Sequence, residues 1–492
     1  MTFFAGRCRL DDEARRQALE QMFRLIDGAG IDQVRFAWCD LHGTLRSKTL
    51  MASAVQCAMQ DGVGMVGTLM LKDTSDRTAF KVFEPGGTAE LPGFECAANL
   101  VLMADPASFR QLPWADNTGW ARGQLWFQDA RPVELDTRRI LQHALARLSD
   151  AGFEMRCGLE VEFHIYRITD RREQLDPELA AWPGLPPALE LIHPGYNLLS
   201  EGWCDMADEP LRIVQGTAQA LGLPLLSLEI ELGPSQVEAV FEASDALAAA
   251  DNMVLFRSAV RQALYRAGYY ASFVCRPPFP HIMSSGWHLH QSLVARNGAY
   301  NAFQRDVPAH GSTPADAGYT LSSIGEHYLA GLLEHARGMT AFCTPTVNGF
   351  ARFQPNALAP QSIIWGRDNR GAALRVIGGC ADPGTRIENR IGEPAANPYL
   401  YLASQIHAGL DGIARSLRAP LATDAPYATH HARLPGGLEE ALAALESDRV
   451  LCESFGEAFI RYFARIKRCE IARYEEAEDK LDFQRREYFS RI

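Results

Sequence analysis

The sequence predicts an α+β protein, and three observations carry that reading. Segments with helical periodicity and segments with two-residue alternation follow one another in irregular order, not as a regular strand–helix repeat. No fixed-period repeat or low-complexity tract interrupts them. The 492 residues are 47% hydrophobic and 22% charged, enough apolar material for a large core. A net charge of −12, from 48 basic against 60 acidic residues, argues against a protein that coats nucleic acid or anionic lipid. No stretch approaches the roughly 20 apolar residues of a membrane span, and Met1 to Arg7 runs into Asp11, Asp12 and Glu13 without a signal-peptide core. The eleven cysteines, from Cys8 to Cys469, include no Cys-x-x-Cys pair, so a cytoplasmic chain with reduced thiols is expected.

Residues 13–29 read as a helix, with Ala18, Leu19, Met22, Leu25 and Ile26 on one face and a stop at Gly28. Strand-like Val34 to Trp38 and Leu45 to Leu50 flank the turn Asp40-Leu41-His42-Gly43. Gly62-Val63-Gly64-Met65-Val66-Gly67 has dinucleotide-fingerprint spacing. Helix-like residues precede it and strand-like Thr68 to Leu71 follow, the reverse of the required order, so glycines serving a helix end and turn are the reading kept. No P-loop sequence occurs. A fragment rich in Pro, Gly and Asp, Phe83 to Thr118, leads to strand-like Gln124 to Phe127. A helix capped by Asp136, with Ile140, Leu141, Ala144, Leu145 and Leu148 inward, stops at Gly152. A boundary near residue 130 therefore divides the chain into 1–130 and 131–492. In the second part, 170–187 reads as a loop insertion, 244–267 as a long amphipathic helix, and the chain beyond Gly437 as helical blocks.

Four short segments carry the chemistry. Gly158-Leu159-Glu160-Val161-Glu162-Phe163-His164 alternates acids with apolar residues. On one strand face such carboxylates lie ~7 Å apart. They then repel by about 2 to 3 kcal/mol at an effective dielectric near 20, so a cleft-facing pair needs a cation. Leu228 to Glu238 sets Glu229, Glu231 and Glu238 around a Gly-Pro turn. Trp287-His288-Leu289-His290-Gln291-Ser292 alternates imidazoles with apolar residues, and Arg386-Ile387-Glu388-Asn389-Arg390 puts arginine, glutamate and arginine on one face. Glutamates with one histidine suit Mg²⁺ or Mn²⁺. Between the last two segments stand Arg352, Arg367, Arg370 and Arg375; Arg367 reads as a surface residue, while the others have the planar fork that suits phosphate and carboxylate oxygens. Acids for divalent ions with arginines for phosphates is the inventory of metal-assisted phosphoryl transfer.

These segments, in this order, resemble the glutamine synthetase family: Gly-x-Glu-x-Glu-Phe at 158–163, Glu231 through Glu238, Ser285 to Ser292, Trp365 to Arg375, Arg386 to Arg390 and Ala396-Asn397-Pro398-Tyr399-Leu400. The resemblance implies a small N-terminal β-grasp domain and a larger catalytic domain with a curved antiparallel sheet. By it, Glu162, Glu231 and Glu238 would hold one metal, and Glu160, His288 and Glu388 a second that bridges the phosphates of ATP. His290, Ser292, Arg370, Arg375 and Arg386 fall where the family contacts ATP, and Arg352, Arg390 and Gly286 where it contacts the acid substrate. Asp40 falls at the amine site shared between subunits, and with Arg370 and Arg390 it is expected to act in catalysis. A homo-oligomeric ring is implied, most readily a dodecamer.

The departures shape the expected activity. In the flap Arg352-Phe353-Gln354-Pro355-Asn356-Ala357-Leu358, Leu358 stands where the family's ammonium-capping glutamate would be, and Met283-Ser284 replaces an Asn-Gly pair. The expected reaction is ATP-dependent joining of glutamate's γ-carboxylate to an organic, hydrophobic or aromatic amine through an acyl phosphate. It resembles the family branch that includes γ-glutamylpolyamine and γ-glutamylanilide synthetases. Glutamine synthesis from ammonia and a non-catalytic ring scaffold are the alternatives. The match around Pro426-Tyr427-Ala428 is poor, so adenylylation is not expected.

Overall fold

The computed structural model describes residues 3–296, 300–354, 358–428 and 430–492, so Pro355, Asn356 and Ala357 of the flap lie outside the described residues. The helix Glu13–Gly28 begins where the Asp12 carboxylate accepts from the Arg15 amide, and it buries Met22 and Ile26. Strands β1 (Gln33–Cys39), β2 (Leu45–Met51), β3 (Val63–Val66), β4 (Asn99–Ala104), β5 (Arg110–Gln111) and β6 (Thr118–Trp126) form the N-terminal sheet in the order β2-β1-β6-β4-β3, with β5 on β6. Only β1 and β6 run parallel among these pairings. Helix Ala52–Asp61 packs on this sheet, giving the β-grasp arrangement.

Two local expectations change here. Thr68 to Leu71 belongs to a 3₁₀ turn, Gly67–Leu71, and the strand is Val63–Val66 before it. Gly62 ends the preceding helix at φ +78°, a left-handed conformation that glycine adopts without strain. Strand β4 lies inside the Pro-, Gly- and Asp-rich fragment, and β6 starts six residues before the expected Gln124.

The second sheet consists of β7 (Phe153–Asp170), β8 (Ala188–Leu191), β9 (Leu225–Ile230), β10 (Gln236–Asp245), β11 (Tyr269–Ser272), β12 (Trp287–Ala295), β13 (Tyr300–Asn301), β14 (Trp365–Arg367), β15 (Leu374–Ile377) and β16 (Arg386–Asn389). Its order is β14-β15-β16-β12-β7-β10-β9, with β8 and β11 on β7 and β13 on β12. All these pairings are antiparallel except β14 with β15. Leu159, Val161, Phe163, Val237, Ala239 and Leu289 point to the core, which helices Thr137–Asp150, Ala246–Arg266 and Pro398–Ala414 cover. Alternation then sends their polar neighbours to the opposite face.

Asp251 ties the layers together. Its carboxylate accepts from Arg138 at 2.9 and 3.0 Å and from the Tyr399 hydroxyl at 2.7 Å, and it pairs at 3.0 Å with Arg122 of the N-terminal sheet. Among the described residues no helix is long and apolar enough to cross a membrane.

Candidate active site

Strand register builds the site. Glu162 stands opposite Glu238, which stands opposite Glu229; Glu160 stands opposite His288; His290 stands opposite Glu388, which stands opposite Arg375. Six neighbouring strands, β15, β16, β12, β7, β10 and β9, thus bring carboxylates, imidazoles and a guanidinium to one face of the sheet.

Among the described residues, three trios of donor atoms lie within 4.8 Å of one another: Glu162, Glu231 and Glu238; Glu160, Glu238 and His288; and Glu160, His290 and Glu388. The first is the set anticipated from the sequence. The second anticipated set, Glu160, His288 and Glu388, is divided between the other two, with His290 beside Glu388 because the two face each other across β12 and β16. His288 remains central: its ring nitrogens lie 3.3 Å from Glu160, 3.8 Å from Glu162 and Glu388, and 3.9 Å from Glu238.

Electrostatics mark the same place. Burial, followed by the Glu162 charge, raises the Glu231 carboxyl to about 7. Burial and then Glu162 and Glu160 raise Glu238 to about 10. Two acids whose ionisation is opposed by confinement among other acids fit a divalent cation, whose charge would reverse the repulsion. Glu160 shifts the other way: burial opposes ionisation, but the bonds from His288 and His290 outweigh it. Glu388 likewise stays low against burial through His288 and Arg390.

Glu160 lies between two cavities. One, of about 510 Å³, is lined by Glu162, Glu231, Glu238, His288, Arg352, Arg370, Arg375, Arg390, Met283 and Leu358. The other, of about 540 Å³, is lined by His290, Ser292, Arg386 and Arg156. Arg386 Nε donates to His290 Nδ1 at 3.0 Å, leaving the other ring nitrogen 2.9 Å from Glu160. Arg352 is 5% exposed, with Nη1 donating to the Arg390 carbonyl at 2.8 Å. Gly286 makes room for it: a Cβ there would sit 2.5 Å from Arg352 Nη2, while the Gly286 amide donates to Glu162 at 2.8 Å. Arg390 pairs with Glu388, and its Nη2 donates to the Leu358 carbonyl at 3.3 Å. Arg375 bridges Asp368 and Glu388. Arg367 is partly buried and stacks on Tyr319, 4.8 Å from its ring centre, so it is less free than the surface residue expected from the sequence.

Asp40 is not brought to the cleft of its own chain. It is 2% exposed and accepts from the amides of His42 and Thr44, each at 3.0 Å, and from Arg46 Nε at 2.8 Å. Other cleft residues carried no prior assignment. Gln236 donates to Glu162 at 3.0 Å, and its position between the Gly-Pro turn and Glu238 was the available signal. Leu198 and Leu199 line the acidic cavity, and nothing in their loop sequence distinguishes them from ordinary apolar residues.

Comparison with known proteins identifies the family. Residues 134–486 match the family model for the glutamine synthetase catalytic domain. The chain is 38% identical over 474 residues to a gamma-glutamylanilide synthase of Acinetobacter sp., covering 95% of this chain and 92% of that protein. It is 28% identical over 480 residues to the gamma-glutamylethanolamide synthetase GlnA4 of Streptomyces coelicolor, with 96% of each covered. Among solved structures, ligand-free GmaS superposes with a TM-score of 0.74 at 27% identity, covering 94% of this chain and 97% of that one, and a GmaS–ADP complex gives the same score. With its register-built cluster of acids, histidines and arginines and a matching family model over most of its length, this chain belongs to the glutamine synthetase family and is a ligase.

Proposed function

We propose that the protein joins the γ-carboxylate of glutamate to an organic amine bearing a hydrophobic, aromatic group, at the expense of ATP. The observation that carries this reading is the apolar side of an otherwise acidic cleft, where Leu358 and Met283 share one cavity with the glutamates and arginines. An ammonium ion would find no carboxylate at Leu358; a neutral arylamine would find apolar surface and would not need a base to unmask its lone pair. The names of the relatives, a gamma-glutamylanilide synthase and a gamma-glutamylethanolamide synthetase, support amide formation with organic amines, and the ADP complex of GmaS supports a nucleotide substrate.

In this reading Arg352 and Arg390 hold glutamate by its carboxylates, with Gly286 leaving space for the Arg352 fork. The nucleotide takes the cavity of His290, Ser292 and Arg386, its terminal phosphates directed past Glu160 towards Arg370 and Arg375. A γ-carboxylate oxygen attacks the terminal phosphorus and ADP leaves; the amine nitrogen then attacks the acyl carbon, the C–O bond to phosphate breaks, and the proton lost from nitrogen goes to the departing phosphate. Glu162, Glu231 and Glu238 would hold one divalent ion, Mg²⁺ or Mn²⁺. Glu160, His288 and Glu388, with His290 alongside, would hold a second, and the ions supply neutralisation of charge on the phosphoryl oxygens. The chain divides at residue 130, close to the start of the family match at 134, and works as a cytoplasmic ring of subunits, a dodecamer, in which Asp40 serves the neighbour's amine site. Its cysteines, free in the structure, suit a reducing compartment.

The test is phosphate release by purified protein with glutamate, Mg²⁺ and ATP across ammonia, alkylamines, polyamines and anilines. Burial of one ring is worth roughly 2 kcal/mol, so anilines are expected to exceed ammonia about thirtyfold in kcat/KM. A preference for ammonia over every organic amine would overturn the proposal in favour of glutamine synthesis, and no turnover with any amine would favour the scaffold.

A further inference from the structure

We infer that the loop 193–200, on the rim of the acidic cavity, supplies a second apolar wall of the amine site through Leu198 and Leu199, and that this wall selects an arylamine over an alkylamine. The inference rests on the amide-ligase reading above and names residues that decide its amine specificity.

The loop is fastened at several points. The Tyr196 amide donates to the Leu232 carbonyl at 2.7 Å and the Leu199 amide to the Ile230 carbonyl at 3.0 Å, which lashes the loop to the segment carrying Glu231. Gly195 lies so close to the Gly233-Pro234 turn that a Cβ would meet Pro234 N at 2.4 Å. Trp203 Nε1 donates to the Gly195 carbonyl at 3.1 Å, and the Tyr196 hydroxyl donates to the His281 carbonyl. Tyr196 and Leu199 adopt φ of +55° and +56°, a left-handed conformation that strains a non-glycine residue.

What this strained loop presents is apolar. Leu198 and Leu199 are 49% and 63% exposed, yet they line the cavity that also contains Glu162, Glu231, Glu238, Met283 and Leu358. Glutamate, the phosphates and the divalent ions are charged and gain nothing from leucine, and the nucleotide's base belongs, in this reading, with the other cavity. The amine's substituent is the ligand group left to use such a wall. An alkylamine arrives as an ammonium that loses hydration against it, whereas an arylamine arrives neutral and flat and gains from the contact. Cost at the backbone and exposure at the side chain are thereby explained by one ligand class.

The experiment uses full-length protein with aniline and ethylamine as probes. Leu199→Asn is the informative variant, because asparagine tolerates the left-handed conformation but removes the apolar surface. It is expected to raise KM for aniline about fivefold or more while KM for glutamate holds, narrowing the preference for aniline over ethylamine. Leu199→Met should recover most of the affinity for aniline, and Leu198→Asn should act in the same direction as Leu199→Asn. The inference is overturned if aniline KM does not move in either Asn variant, or if wild type uses ethylamine better than aniline; both leave the amide-ligase reading standing. It is also overturned if the variants change oligomeric size by chromatography and lose all amines equally, which would make the leucines a subunit contact. Wild type that accepts only ammonia would remove the underlying reading, and that result is visible without any variant.

Discussion

Gly286 shows how a residue without a side chain can be part of a binding site. In Gly286→Ala the new methyl would displace the Arg352 guanidinium, whose flexible end can give way, so the fold should tolerate the change. The expected result is a melting temperature within a few degrees of wild type and KM for glutamate raised at least tenfold, about 1.4 kcal/mol; unaltered glutamate kinetics would disconnect Arg352 from the acid substrate. The carboxyls give a second test. Glu231 and Glu238, at about 7 and about 10, lie above their ordinary range, so the folded metal-free chain keeps protons that the unfolded chain releases. Their contribution to stability is present below the ordinary carboxyl range and is lost as pH rises towards 7 and beyond. Added Mg²⁺ or Mn²⁺ should therefore raise the melting temperature more at pH 8 than at pH 5, and an equal shift at both would count against the ion assignment. These carboxylates were legible because strand alternation writes its period directly into the sequence, as in Glu160-Val161-Glu162. Leu198 and Leu199 were not, since a loop has no period and two leucines look the same facing core or cleft.

Among elements, a junction far from the cleft has its own electrostatic design. His335, between helices Ser323–Glu334 and Ala336–Cys343, sits with Nδ1 2.7 Å from Asp448 and Nε2 3.0 Å from Asp411, joining them to the helices that begin at Arg449 and Pro398. Burial lowers its proton affinity, but Asp448 and Asp411 together outweigh burial and raise it. A histidine raised in the folded state contributes stability that is full below about 6.5 and fades as pH climbs through the folded value. His335→Ala should lose about 3 kcal/mol, because two carboxylates lose their shared partner, and calorimetry should show the loss shrinking on the alkaline side; a pH-independent deficit would mean packing alone. Helices were readable from a cap, as with Asp136 before Thr137–Asp150, or from an amphipathic period alone, as with Ala246–Arg266. Strand Asn99–Ala104 was hidden because its flanking prolines and glycines outweighed five residues of apolar signal. Thr68 to Leu71 read as a strand because a single 3₁₀ turn is too short to display its period.

For the whole molecule, the open matter is what a second copy adds. Asp40 lies buried and fully bonded in its own chain, so its proposed service to a neighbour's amine site is best tested by exchange. Mixing Asp40→Ala with Glu388→Ala subunits after dissociation should restore about a quarter of wild-type turnover, the share of randomly formed interfaces with both residues intact. Proven exchange without recovery would confine Asp40 to bracing its turn. The pairing of Glu162 with Glu238 and of Glu160 with His288 across β7 has one further consequence. Most proteins are firmest along their central strand and fray at the margins, but here acids crowd the middle of the sheet, so without cations its centre relies on a proton at Glu238 and on the imidazoles beside Glu160. Cations would then act as mortar: chelation should speed amide hydrogen exchange in β7, β10 and β12 before it loosens β8 or β13, and the molecule would come apart from its hearth outward.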